Sequence, residues 1–128
     1  GINAFEDCTG LTSVKIPSTV NRINKSAFAA CSNLSDLTIE EGVSIFDSFV
    51  FSNCDALISV IIPVSITSIG INVFEECDAL TSIKIPNSVM NIEENAFYGC
   101  NSLEVVFAPK NSYAEQWAKE HGYNVLDE

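Results

Sequence analysis

The sequence predicts a β-rich solenoid of short coils, right-handed, with one parallel sheet along its length and a helix closing its C-terminal end. Three observations carry this. The five cysteines, Cys8, Cys31, Cys54, Cys77 and Cys100, are each 23 residues apart. A phenylalanine stands three residues before each of them: Phe5, Phe28, Phe51, Phe74 and Phe97. Three residues after each stands Leu11, Leu34, Leu57, Leu80 or Leu103. Positions held in phase this way define an internal repeat. A unit this short cannot bury its own apolar face, so units must stack and share a core. Stacked strands lie about 4.8 Å apart, and parallel crossovers are right-handed.

Within a unit the apolar spacing changes. After the leucine it shifts to a period of two, Val14 to Ile16 in LTSVKIP (11–17) and Ile83 to Ile85 in LTSIKIP (80–86), which is a short strand with one buried face. All four prolines (Pro17, Pro63, Pro86 and Pro109) follow that strand, where a missing N–H does least harm; the second unit has Glu40 there. The return half, for example SVMNIEENAFYGC (88–100), spaces its apolar residues three or four apart but is rich in weak helix formers. That predicts an irregular or 3₁₀ turn rather than a full helix. A later apolar pair completes the unit, Val20/Ile23, Val43/Phe46, Ile66/Ile69 and Val89/Ile92, with Phe46 in place of isoleucine.

The run L-x-x-V/I-x-I-P, followed by V-x-x-I and A-F-x-x-C, resembles the BspA-like (Treponema-type) leucine-rich repeat family over residues 2 to 109. The resemblance implies a curved leucine-rich repeat solenoid, with the Leu–Val–Ile strands on the concave face and the A-F-x-x-C turns on the convex side. It also implies a surface or secreted protein that binds host or microbial proteins without catalysis. A parallel β-helix has similar coil lengths and is the alternative fold, although it usually lacks so strict a single-face leucine motif.

The repeats occupy residues 1–110, the first one incomplete, and the cap residues 111–128. Ser112 and Glu115 form a capping box that opens a helix. Tyr113 with Trp117, and Ala114 with Ala118, give it an apolar stripe, and Gly122 stops it. Trp117 is the expected plug over the last coil, and a short extended tail follows. The first strand has no cap before it. The chain is therefore expected to be the C-terminal piece of a longer array whose missing part carries any secretion signal, with an N-terminal edge that invites self-association.

Composition narrows the function. Of 128 residues 47% are hydrophobic, enough for a real core, and 17 Asp and Glu against 6 Lys and Arg give a net charge of −11. Such a surface repels phosphate backbones and anionic lipids, so neither nucleic acid nor membrane insertion is expected. The single histidine, His121, lies near the C-terminus, and no G-x-S-x-G, phosphate loop or metal-ligand spacing appears. No catalytic residue, cofactor or metal site is predicted. Stacked cysteines come within disulfide distance, but their Cβ vectors run parallel, so the five thiols should be reduced and buried. The acidic residues around Cys77 (Glu75, Glu76, Asp78, with Asp55, Glu93 and Glu94) lack a calcium-loop pattern and read as a solvated edge.

Binding should fall on the outward residues of the strands. Down the stack these are Ser13 and Lys15, Asp36 and Thr38, Ser59 and Ile61, Ser82 and Lys84, Val105 and Phe107. Ile61, Val105 and Phe107 are apolar where the pattern demands polar, and Ile58 adds to them. The expected binding patch is therefore Ile58, Ser59, Ile61, Ser82, Lys84, Val105 and Phe107, unless the cap folds over Val105 and Phe107. The expected function is a non-catalytic, adhesin-like module that binds another protein at a cell surface or outside the cell. An architectural spacer is the alternative, and carbohydrate binding comes further behind.

Overall fold

The computed structural model describes residues 1–127. Each repeat supplies a longer strand and then a two-residue one. These are β1 (Ser13–Ile16) and β2 (Arg22–Ile23), then β3 (Asp36–Ile39) and β4 (Ile45–Phe46), then β5 (Ser59–Ile61) and β6 (Ser68–Ile69). Next come β7 (Ser82–Lys84) and β8 (Asn91–Ile92), followed by β9 (Val105–Phe107), α1 (Tyr113–Glu120) and β10 (Asn124–Leu126). All strand pairs are parallel, and each repeat lies one period from its neighbour: Ser13 pairs with Asp36, Ser59 with Ser82, and Ser82 with Val105. The sequence period is therefore the structural register.

The turn after each short strand is irregular, and no 3₁₀ helix forms among the described residues. Backbone bonds of the 3₁₀ kind are present, from Ala27 N–H to Asn24 O and from Ala29 N–H to Ser26 O. Left-handed residues interrupt them. Asn3, Ser26, Phe49 and Asn72 have φ of 55–62° at one position, and Asp7, Ala30, Asn53 and Glu76 have 53–58° at another. This alternation turns every second N–H along the solenoid axis. Phe5 N–H thus donates to Ala27 O at 2.7 Å, Phe28 to Val50 O at 3.0 Å, Phe51 to Val73 O at 2.9 Å and Phe74 to Ala96 O at 2.8 Å. Backbone groups that a 3₁₀ helix would pair internally instead staple one coil to the next.

The cysteines complete the same ladder. Cys31 Sγ donates to Phe5 O at 3.1 Å, Cys54 to Phe28 O at 3.3 Å, Cys77 to Phe51 O at 3.2 Å and Cys100 to Phe74 O at 3.0 Å. All five are free thiols. Four are buried, but Cys8 is only half-buried, which corrects the expectation for the first coil, where nothing described covers it. Inside the turns the phenylalanine rings stack nearly parallel, with centroids 5.2–5.7 Å apart from Phe5 to Phe97. Leu34, Leu57, Leu80, Ile62 and Ile85 fill the core behind the strands.

The cap closes one end. Trp117 sits 5.3 Å from Phe97 and ends the aromatic column. Ser112 Oγ accepts from Glu115 N–H at 3.1 Å, while Glu115 Oε1 accepts from Asn111 N–H rather than from Ser112, whose own N–H goes to Pro109 O. At the far end Gly122 has φ +80°, Gly122 N–H donates to Lys119 O and Tyr123 N–H to Ala118 O. That is a Schellman stop. At the first coil Phe5, Leu11, Val14, Ile16, Ile23 and Phe28 line a concavity of about 440 Å³.

Candidate functional site: the outward rows of the long-strand sheet

Alternation in β5, β7 and β9 buries Val60, Ile83 and Val106 and turns their neighbours outward. The register then sets Ile61 beside Lys84 and Lys84 beside Phe107. Helix α1 brings the chain back so that β10 pairs with β9, placing Leu126 beside Phe107 and Asn124 beside Val105. One outward row therefore reads Ile61, Lys84, Phe107, Leu126, and the other Ser59, Ser82, Val105, Asn124. The cap extends the sheet instead of folding over it. Val105 and Phe107 stay half-exposed, flanked by β10 but not covered.

Along these rows, apolar exposure is greatest at the third coil. Ile61 is 65% exposed, Ile58 57% and Val64 62%, and Leu126 at the cap is 49% exposed. Exposed apolar side chains in one coil and one row form a surface that water solvates poorly. Of the predicted residues, Ile58, Ser59 and Ile61 are exposed, while Ser82, Lys84, Val105 and Phe107 are half-buried. The structure adds two residues that sequence reasoning missed. Val64 could have been found, because Ser18, Glu41, Asn87 and Lys110 hold the same position in the other units. Leu126 could not, because its place in the row depends on the helix returning β10 to the sheet.

Charge is unevenly placed. In the outward rows of all the long strands, Asp36 is the one acid against Lys15 and Lys84, although the chain carries 17 carboxylates. The surplus negative charge lies elsewhere, on the turns and edges. Burial pushes the Cys54 thiol up to about 12 and moves Cys31 in the same direction, which keeps both protonated as donors to the turn carbonyls. His121 stacks on Trp117 at 4.8 Å, with Nδ1 2.7 Å from Trp117 O. Among the described residues no three His, Cys, Asp or Glu side chains are grouped as metal ligands, and no helix is long and apolar enough to cross a membrane.

The profile of the BspA type leucine rich repeat region matches residues 1–119 in six copies. The chain belongs to the BspA-type leucine-rich repeat family. Solved leucine-rich repeat proteins share its fold. One from Bacteroides ovatus is 28% identical with a TM-score of 0.81, covering 96% of this chain and 32% of its own. One from Treponema pallidum is 33% identical with a TM-score of 0.80, covering 83% of this chain and 50% of its own. A leucine rich cell surface protein from Faecalibacterium prausnitzii is 29% identical with a TM-score of 0.76, covering 91% of this chain and 31% of its own. This BspA-type chain thus spans half of one of these three solved proteins and just under a third of the other two. No curated protein matches it.

Proposed function

We propose that this chain is a non-catalytic protein-interaction module of an adhesin-like surface protein, and that it binds through the outward rows of its long-strand sheet. The observation that carries the reading is the row Ile61, Lys84, Phe107, Leu126, widened at the third coil by Ile58 and Val64. Ser59, Ser82 and Val105 line the adjoining row and complete the contact surface. Family membership supports an interaction role, and the Faecalibacterium relative described as a cell surface protein supports the location. The surface fits a protein partner that offers apolar side chains and little positive charge of its own, because the sheet carries two lysines and one acid. Interface cores are depleted of charge and rich in apolar and aromatic groups in this way.

Panning a random-peptide display library against the folded chain tests the reading. Selected peptides should lose at least about tenfold in affinity, about 1.4 kcal/mol, against Ile61→Asp and Phe107→Asp. They should still bind Tyr98→Asp, a change at an exposed turn residue away from the sheet. Peptides that bind both sheet variants at full strength, or that fail only on the Tyr98 variant, would place binding elsewhere.

A further inference from the structure

The long-strand sheet is not continuous. It consists of a two-stranded piece, β1–β3, and a four-stranded piece, β5–β7–β9–β10. The short strands break at the same place, into β2–β4 and β6–β8. Neighbouring joints show what is missing. At the first joint Asp36 N–H donates to Thr12 O, Ser44 N–H to Asn21 O and Asp47 N–H to Ile23 O. At the third joint Met90 N–H donates to Thr67 O at 2.8 Å and Glu93 N–H to Ile69 O at 2.9 Å. The equivalent amides of the second joint, Ser59, Thr67 and Gly70, have no such backbone bond among the described residues. Across this seam the strand side is held by one hydroxyl. Ser65 Oγ accepts from Gly42 N–H at 3.1 Å and donates to Val43 O at 2.5 Å.

The turn side, by contrast, is unbroken. Phe28 N–H donates to Val50 O at 3.0 Å and Phe51 N–H to Val73 O at 2.9 Å, through the same coils. The molecule thus has a bonded spine along the turns and an unbonded slit across the strands at one joint. The sequence supplies a wedge at the slit. In the column Ile23, Phe46, Ile69, Ile92 the second coil alone carries an aromatic ring, buried and set edge-on to Phe51 at 5.8 Å. A ring where the neighbours have isoleucine adds volume that a close-packed core takes up by small backbone shifts, enough to break the pairing while Phe46 O stays in contact range of Gly70, 3.5 Å from where a Cβ would stand.

We infer that the joint between the second and third coils is a built-in hinge, about which the β1–β4 part of the solenoid swings on the turn ladder relative to the part from β5 to the cap. Local opening is easiest where backbone bonds are fewest, and hinges concentrate at such positions. The exposed Ile58 and Ile61 stand on the C-terminal lip of the slit, so a swing changes what lies beside them. The hinge itself does not depend on what the sheet binds.

Amide hydrogen exchange on the intact chain, read residue by residue by NMR, tests it with controls inside the same molecule. The amides of Ser59, Ile61, Thr67 and Gly70 should exchange at least about tenfold faster than those of Ser82, Lys84, Met90 and Glu93. Phe46→Ile, which installs the residue the other coils use, should slow the first set and leave the second unchanged. Equal protection of the two sets in the wild-type chain would overturn the hinge. Fast exchange that Phe46→Ile fails to slow would overturn the wedge as its cause.

Discussion

Gly99 stands where Asp7, Ala30, Asn53 and Glu76 stand in the other coils, and all five have positive φ. A Cβ at Gly99 would lie 2.7 Å from Glu76 Cγ, in a conformation that L-residues resist. Gly99→Ala should therefore lower stability by about 1–2 kcal/mol, and Ala30→Gly should raise it by about 1 kcal/mol, both read by thermal melting. Opposite signs would mean that the turns do not alternate as described. The thiols give a second residue-scale test. The native state keeps the Cys54 proton from the ordinary value of 9.0 up to about 12, because the thiol is buried. Over that window the unfolded chain binds fewer protons, so stability is full below about pH 9 and falls as pH rises, by about 1.4 kcal/mol per pH unit for each such thiol. Denaturation at about pH 8 and pH 10.5 should show a shallower loss for Cys54→Ala than for wild type. Equal losses would show that the thiol ionises as readily when folded as when unfolded.

At the scale of elements the cap carries the clearest test. Ser112→Ala removes the acceptor for Glu115 N–H and should cost about 1 kcal/mol. Trp117→Ala uncovers the last phenylalanine and should cost about 3–5 kcal/mol by urea denaturation. If the tryptophan variant loses less than the serine variant, α1 does not plug the core. The helix was legible in the sequence because its signals are local: a capping box, an apolar stripe and a stop glycine. The longer strands were legible because their period of two repeats five times. The left-handed turn residues were not, since Ala30, Phe49 and Glu76 are poor markers of positive φ, and only stacked neighbours hold them there. Glu40 and Phe46 were visible as departures from the repeat. The slit was not, because it arises between two coils and each coil reads as complete by itself.

Across the whole molecule, one register decides both what is core and what is offered to a partner. The 23-residue step that buries Leu34, Leu57 and Leu80 also sets Ile61, Lys84 and Phe107 in one outward row. Four members of the predicted patch, Ser59, Ile61, Ser82 and Lys84, followed directly from that step. Val105 and Phe107 depended also on how the cap lies, and Leu126 entered the row only because β10 returns to pair with β9. Because strand faces alternate residue by residue, an error of one position would exchange the core for the surface. Chemical denaturation of two variants two coils' width from either end tests this most directly. Ile62→Ala, at a residue 2% exposed, should destabilise by about 2–5 kcal/mol, while Ile61→Ser, at its neighbour 65% exposed, should remain within about 0.5 kcal/mol of wild type. A large loss for Ile61→Ser together with a negligible one for Ile62→Ala would put the outward row inside, and would remove both the core and the binding face described for this solenoid.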